Sequence, residues 1–342
     1  MPTINSSLSL VWFRRAALLG ALLALVVIVM GAWVRLTAAG LGCPDWPGCY
    51  GHLHPASAVA EAAAINVAHP SHPFDYGKAL REMVHRYAAT TLGLIIVGLV
   101  IASVINRRVN GQPRWLPWVL LSVVCLQGLL GALTVTKLVA PPIVTLHLTG
   151  GLTTLSLLWW LSLNRPVRAL SAVEKRLRPA VVVALLALIM QILLGGWTST
   201  NYAATACPDF PTCQGSFAPK ADFASGFVLW RGLNQDYEGG VLSPEARVAI
   251  HWTHRGGAVV VGLTLLIVSL VTFLRSTHRT TRWAAAAVIM AVGLQWLIGM
   301  NLIWQGFPLW LGTSHNAGAA ILLLCTLTLL RALTPMAPSA ER

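Results

Sequence analysis

Charge is what this sequence has least of. Its 342 residues are 10% charged and 56% hydrophobic, with only 11 Asp and Glu between them. A soluble fold of that length needs a charged shell, so the shortage excludes an ordinary water-soluble domain. Amphipathic striping is missing as well. The apolar residues run uninterrupted over stretches that approach or exceed the ~20 residues needed to cross a ~30 Å hydrocarbon core. No flavin or iron–sulfur motif occurs, and the cysteine spacings do not match the usual zinc patterns. The short N-terminus lacks the Arg- and Ser-rich character of a mitochondrial transit peptide. The run after Arg14-Arg15 is too long for the apolar segment of a cleavable signal. It reads as a retained first span, and the expected setting is a bacterial plasma (inner) membrane.

What is present is a set of eight apolar spans, at roughly 12–36, 80–106, 115–136, 143–163, 179–199, 247–274, 283–303 and 312–333. The expected fold class is therefore an all-α polytopic membrane protein. The formal net charge of +13 is informative through its placement. Arg14, Arg15, Arg107, Arg108, Arg114, Arg165, Arg168, Lys175, Arg176, Arg178, Arg275, Arg279, Arg282, Arg331 and Arg342 fall on one side of the spans. All eleven acidic residues except Glu174 and Glu341 fall on the other side or just inside its edge. This positive-inside pattern puts both termini in the cytoplasm. The basic balance thus reports topology and gives no support to a nucleic-acid partner.

The sequence repeats itself. Gly31-Ala-Trp33 precedes Cys43-Pro-Asp-Trp-Pro-Gly-Cys49, and Gly195-Gly-Trp197 precedes Cys207-Pro-Asp-Phe-Pro-Thr-Cys213. Met83-Val-His-Arg86 matches Trp252-Thr-His-Arg255, and Gln127-Gly-Leu-Leu-Gly131 matches Gln295-Trp-Leu-Ile-Gly299. His147 followed by Gly150 matches His315 followed by Gly318. Four spans per copy is an even number, so both copies share one orientation. The expectation is two tandem parallel four-helix bundles related by a pseudo-twofold along the membrane normal. The copies are residues 1–163 and 179–342, joined by a basic cytoplasmic linker at 164–178.

Four cysteines lie in the long outer loops, where an oxidising compartment permits disulfides. Cys43–Cys49 and Cys207–Cys213 are the expected pairs, with a metal site and a redox-active pair as competing accounts. Cys125 and Cys325 sit mid-span and read as small core residues.

His85, His147, His254 and His315 occupy repeat-equivalent places near the outer ends of the second and fourth span of each copy. Ionisable groups inside a bilayer are costly, roughly 2.5 kcal/mol or more for a charge at its centre, and such residues are functional candidates by default. One such histidine is readily explained by a hydrogen bond across helices or by a wet interface. Four at equal depth point to ligation instead. Two neutral imidazoles from opposite helices supply the axial ligands of a haem. Gly150, Gly151, Gly256, Gly257 and Gly318 give room for a flat macrocycle, and Arg86 and Arg255 are candidate propionate contacts that otherwise snorkel to the interface.

Glu82 has the Glu-x-x-His spacing of carboxylate-bridged di-iron bundles. Those sites need that motif twice and two further glutamates. The second copy has His251 in place of Glu82 and no other carboxylate lies in the spans, so the di-iron reading fails and no non-haem metal is expected. Glu82 and His251 share a helix face with their neighbouring histidines. A carboxylate beside one haem and an imidazole beside the other gives the two sites different jobs. Glu82 is then a candidate proton acceptor, with an interfacial ion pair to Arg81 or Arg86 as the plainer account. His52, His54, His69 and His72 fall in the first outer loop and read as solvated loop residues, and His278 as surface.

Taken as an ordered set, these motifs resemble the haem A synthase family over nearly the whole chain. The resemblance rests on Gly-Ala-Trp-Val-Arg35, the Cys-Pro-Asp-Trp-Pro-x-Cys loop, Glu82-Met-Val-His85-Arg86, Thr145-Leu-His147, His251-Trp-Thr-His254-Arg255 and Ser314-His315-Asn316. It implies conversion of one methyl of haem O to a formyl group by two successive hydroxylations, giving haem A for terminal oxidases. It implies that His85 and His147 hold the substrate haem with Glu82 beside the reacting methyl, and that His254 and His315 hold a haem b cofactor. The implied partners are haem O synthase, a terminal oxidase or its assembly factors, membrane lipid and an unidentified electron donor. Two other readings use the same histidines: a di-haem b-type cytochrome that only moves electrons, and a haem transporter. The asymmetric Glu82 favours the enzyme.

Overall fold

The computed structural model describes residues 4–68, 70–163, 170–232 and 235–334. His69, Arg165, Arg168, Glu341, Arg342 and residues 164–169 of the linker lie outside the described residues. Among the described residues the regular elements are helices, without a strand, and eight helices are long and apolar enough to cross a membrane. These are α1 (Ile4–Leu36), α3 (Tyr76–Ile105), α4 (Leu116–Thr136), α5 (Pro141–Ser162), α6 (Ala172–Thr200), α8 (Pro244–Arg275), α9 (Arg279–Trp304) and α10 (Leu309–Ala332). Two short helices, α2 (Ala62–Ala68) and α7 (Phe223–Gly226), belong to the outer loops. The chain is a multi-pass membrane protein.

Several helices start before their apolar runs do, because capping side chains extend them. Asp75 accepts from the Lys78 N–H, so α3 begins at Tyr76. Ser171 and Glu174 form a capping box that starts α6 at Ala172, leaving Pro179 inside the helix. Such caps satisfy backbone donors that would otherwise be orphaned, each contributing about 1 kcal/mol. Ser243 does the same for α8, with Pro244 as its first residue.

The helices contact one another in two rings: α1–α3–α4–α5 and α6–α8–α9–α10. The rings meet where α1 and α5 pack on α6 and α10. Ala17, Ala21 and Ala24 of α1 are buried, and such small side chains let helices approach closely where lipid offers no hydrophobic drive. Polar bonds cross the same seam. Trp159 Nε1 donates to Thr328 Oγ1 (2.9 Å), and Arg35 reaches from α1 to the Ser199 carbonyl (3.0 Å) with its guanidinium 4.1 Å from the Tyr202 ring centre. Beyond the seam, the fully buried Glu174 accepts from Ser276 Oγ (2.8 Å), tying the start of α6 to the end of α8.

The two cysteine pairs are disulfides, with Cα–Cα separations of 4.8 Å for Cys43–Cys49 and 4.6 Å for Cys207–Cys213. The loops they close are built alike. Asp45 accepts from the N–H groups of Tyr50 (2.6 Å) and Gly51 (2.9 Å); Asp209 accepts from those of Gln214 (2.6 Å) and Gly215 (3.0 Å). Tyr50 and Gln214 both have φ of 54°, in the left-handed region that such local bonds stabilise. The outer loops also interlock. Buried Tyr237 of the second loop donates its N–H to the Leu138 carbonyl (3.3 Å) and packs on Val139 and Ala140. His72 of the first loop stands between Asp236 (3.1 Å) and Glu238 (3.4 Å).

The Thr212 hydroxyl and the backbone donors of Gly215 and Gln214 hold the Asp209 carboxyl down at about 2. A carboxyl depressed in the fold stabilises it above the unfolded value of about 3.9, and that contribution is lost as pH falls toward the folded value. An Asp209→Ala variant should therefore melt below the parent at pH 7, and the difference should shrink between pH 4 and pH 2. A difference that does not change with pH would show that the carboxylate charge contributes nothing.

Candidate functional site

Each of the four expected histidines lies against a glycine of the preceding membrane helix. A Cβ on Gly31 of α1 would stand 3.1 Å from Cε1 of His85 on α3, and one on Gly131 of α4 would stand 3.5 Å from Cε1 of His147 on α5. In the second ring, a Cβ on Gly195 of α6 would be 3.1 Å from Cε1 of His254 on α8. One on Gly299 of α9 would be 3.1 Å from Cε1 of His315 on α10. All four imidazoles thus lie against a glycine, and at Gly31, Gly195 and Gly299 a larger residue would crowd the ring.

The structure brings His254 and His315 together, with ring centroids 6.4 Å apart and planes inclined at 80°. Two imidazoles bound to opposite sides of one metal atom, at the roughly 2.0 Å of a metal–imidazole bond, have centroids about 6.3 Å apart. The pair therefore fits a group that takes two facing imidazole ligands. His85 and His147 stand on α3 and α5 of the first ring, at the places that match His254 and His315.

Three glutamines stand behind these histidines. Gln191 Nε2 lies 3.0 Å from His254 Nδ1 and donates to the His254 carbonyl (2.9 Å). Gln295 Nε2 lies 3.3 Å from His315 Nδ1 and donates to the His315 carbonyl (3.0 Å). Gln127 occupies the matching place beside His147 and packs on Gly150. Its Nε2 and the His147 Nδ1 are both buried without a hydrogen-bond partner among the described residues. At His85 the matching position of α1 is Val27. The signal was in the sequence: Gln127, Gln191 and Gln295 each precede by four residues the glycine that cradles a histidine. Two of them served above only as repeat markers, and Gln191 escaped notice.

Glu82 and His251 hold equivalent posts. Both are buried. Glu82 Oε2 accepts from the Cys43 N–H (3.0 Å) and Oε1 from Arg86 Nη2 (2.5 Å). His251 Nδ1 lies 3.3 Å from the Cys207 nitrogen and its Nε2 3.2 Å from Arg255 Nε. A carboxylate accepts both bonds at once. A neutral imidazole accepts at one nitrogen only, so His251 satisfies one of its two donors.

Arg86 and Arg255 are committed to the disulfide loops. Arg86 donates to the carbonyls of Asp45 (2.9 Å) and Gly48 (2.5 Å), and Arg255 to those of Asp209 (2.8 Å), Thr212 (2.8 Å) and Cys207 (2.7 Å). Each arginine pins its loop to the helix that carries Glu82 or His251. The loop histidines do not converge. His52 is 3.4 Å from Glu61, His54 accepts from the Ala56 N–H, and His72 joins the second loop. Among the described residues no three His, Cys, Asp or Glu side chains gather as a metal site. His278 lies 3.8 Å from Glu174, a partner that the sequence reading did not give it.

Comparison with known proteins finds similarity over nearly the whole chain. The family model COX15-CtaA, described as cytochrome oxidase assembly protein, matches residues 14–327. A protein of Shewanella oneidensis named heme A synthase is 37% identical over 325 residues, covering 94% of this chain and 96% of that relative. Proteins of the same name are 26% identical in Novosphingobium aromaticivorans, covering 90% of both chains, and 28% identical in Caulobacter vibrioides, covering 87% of this chain and 89% of the relative. The chain belongs to the COX15-CtaA family of cytochrome oxidase assembly proteins.

Proposed function

We propose that this protein is a haem A synthase, a membrane oxidoreductase that oxidises one methyl of haem O to the formyl group of haem A. The observation that carries the reading is the pair of histidine cradles with unlike neighbours, Glu82 in one copy and His251 in the other. In this reading residues 1–163 and 179–342 are two parallel four-helix bundles related by a pseudo-twofold along the membrane normal, joined through 164–178. Both termini are cytoplasmic, and the disulfide loops and haem sites lie toward the outer face of a bacterial inner membrane.

His254 and His315 ligate haem b, and His85 and His147 ligate the substrate haem O. What supports this division is the difference in restraint. The second pair is bonded through Gln191 and Gln295, as suits a resident group, while His147 and Gln127 are left unpaired, as suits one that must come and go. For a histidine to ligate through Nε2, its Nδ1 carries the proton. The carboxamide nitrogens of Gln191 and Gln295 then keep their bonds to the histidine carbonyls, which hold the two ligand-bearing turns in place. When bound, haem b supplies one-electron redox chemistry. Glu82 sits one helical turn before His85 and is placed to take a proton as the methyl is oxidised. Its bonds to Cys43 and Arg86 fix it in place. Arg86 and Arg255 act as loop clamps, and contact with haem propionates would require them to release loop carbonyls. Haem O synthase upstream, a terminal oxidase or its assembly factors downstream, and a separate electron donor complete the pathway.

The reading is tested by extracting haems from cells that express the chain together with a haem O-producing enzyme. Haem A or its hydroxylated precursor is expected. Haem O and haem b alone, from haem-loaded protein supplied with reductant, would leave an electron carrier instead. Glu82→Gln keeps an acceptor for the Cys43 N–H but loses the base, so haem b content should hold while haem A formation falls roughly 100-fold or more. An undiminished rate would remove Glu82 from the chemistry. His254→Ala should deplete haem b. Gln191→Leu should keep haem b while shifting its reduction potential, and an unchanged potential would make Gln191 a packing residue only.

A further inference from the structure

The two copies differ at one more place, and it lies between helices rather than beside iron ligands. In the second copy Trp296 of α9 fills the contact with α8. Its Nε1 donates to the Ala258 carbonyl (3.1 Å), and its indole covers Gly262 so closely that a Cβ there would collide with the ring. Ala258 and Gly262 are four and eight residues beyond His254, roughly 6 and 12 Å deeper along the helix. The repeat-equivalent residues of the first copy are both glycine: Gly128 on α4 for Trp296, and Gly93 on α3 for Gly262. A Cβ on either would meet nothing within 4 Å, and both glycines are partly exposed, whereas Gly262 is buried. Where the second copy is plugged, the first is open.

A second observation places a ligand next to this opening. Gln127 precedes Gly128 directly, and its Nε2 is a buried atom without a partner among the described residues, as is the Nδ1 of His147 on the adjacent helix α5. In the second copy the same pair, Gln295 and His315, is bonded beside the Trp296 plug. The unpaired groups lie where Gln127 packs on Gly150 of α5, and the opening begins one residue further along α4.

We propose that the space between α3 and α4 flanked by Gly93 and Gly128 receives the isoprenoid chain of the substrate haem, and that Trp296 denies such a chain to the second copy. This rests on the reading that haem O binds between His85 and His147. Haem O differs from haem b by a long apolar chain on the ring edge. A ring held at the histidine level needs an apolar outlet deeper in the span for that chain, and α3–α4 offers one while α8–α9 does not. Gly128 and Trp296 are thus specificity-determining residues that direct the tailed haem to one copy and the tail-less haem to the other.

The test is Gly128→Trp, reconstituted in lipid with haem b loaded and titrated with haem O. Haem O affinity should fall roughly tenfold or more through loss of the buried chain, with resident haem b unchanged. Unaltered haem O affinity in a haem b-loaded variant overturns the proposal. Trp296→Gly in a His85→Ala background tests the other copy and does not depend on Gly128→Trp folding. Haem O should appear among its extracted haems, and haem b alone would overturn the role of Trp296. His85→Ala by itself separates the two layers of the argument. If it keeps haem O binding, the substrate assignment fails and the slot with it. If it loses haem O while Gly128→Trp does not, the slot alone fails.

Discussion

A buried imidazole has two nitrogens and, within a bilayer, no water to satisfy them. Much of this architecture follows from meeting that requirement four times. In the second copy the two rings have centroids 6.4 Å apart, and a metal atom fits between them. A glutamine carboxamide stands beside each of these rings. At Gly31, Gly195 and Gly299 a Cβ would stand 3.1 Å from the ring carbon, tighter than ordinary van der Waals contact, so the imidazole favours glycine there. The helix crossings at Gly31, Gly195 and Gly299 are therefore set by the histidines they admit.

Duplication supplies the frame and divergence supplies the chemistry. Glu82 and His251 each meet a cysteine backbone N–H and the arginine four residues on, through Arg86 Nη2 in one copy and Arg255 Nε in the other. Only the carboxylate accepts both fully and remains able to take a proton. The same logic separates a tied second pair, bonded through Gln191 and Gln295, from a first pair whose Gln127 is unpaired. In hydrogen-bond terms that difference is modest, about 1 kcal/mol for each bond. It nevertheless has the sign expected if one site holds its occupant and the other releases it.

The outer loops act as a single lid across both copies. Each disulfide loop is drawn onto its helix by an arginine whose donors take two or three loop carbonyls, and the second loop crosses to the first copy through Tyr237 and His72. Spending the arginines in this way fixes the carboxylate and imidazole that sit under the loops. It also explains why two long loops with little regular structure remain ordered, since local aspartate–backbone bonds and interlocking replace secondary structure.

The sequence by itself determined the membrane class, the number of spans, the repeat, the disulfide pairs and the candidate histidines. Those features are written in apolar run length, in residue spacing and in the chemistry of side chains that a bilayer does not tolerate without cause. It also placed Glu82 against His251 by alignment of the copies. It missed the polar first turns of α3 and α6, because hydropathy ends where capping by Asp75 and Ser171 begins. It offered Arg86 and Arg255 as candidate propionate contacts and gave no sign of the loop carbonyls, some forty residues away in the chain, that they bind. Tertiary structure decided which histidine meets which glycine, which glutamine has a bond to make, and where Trp296 closes a contact that Gly128 leaves open. These depend on how neighbouring helices are rotated and spaced, which no single helix encodes.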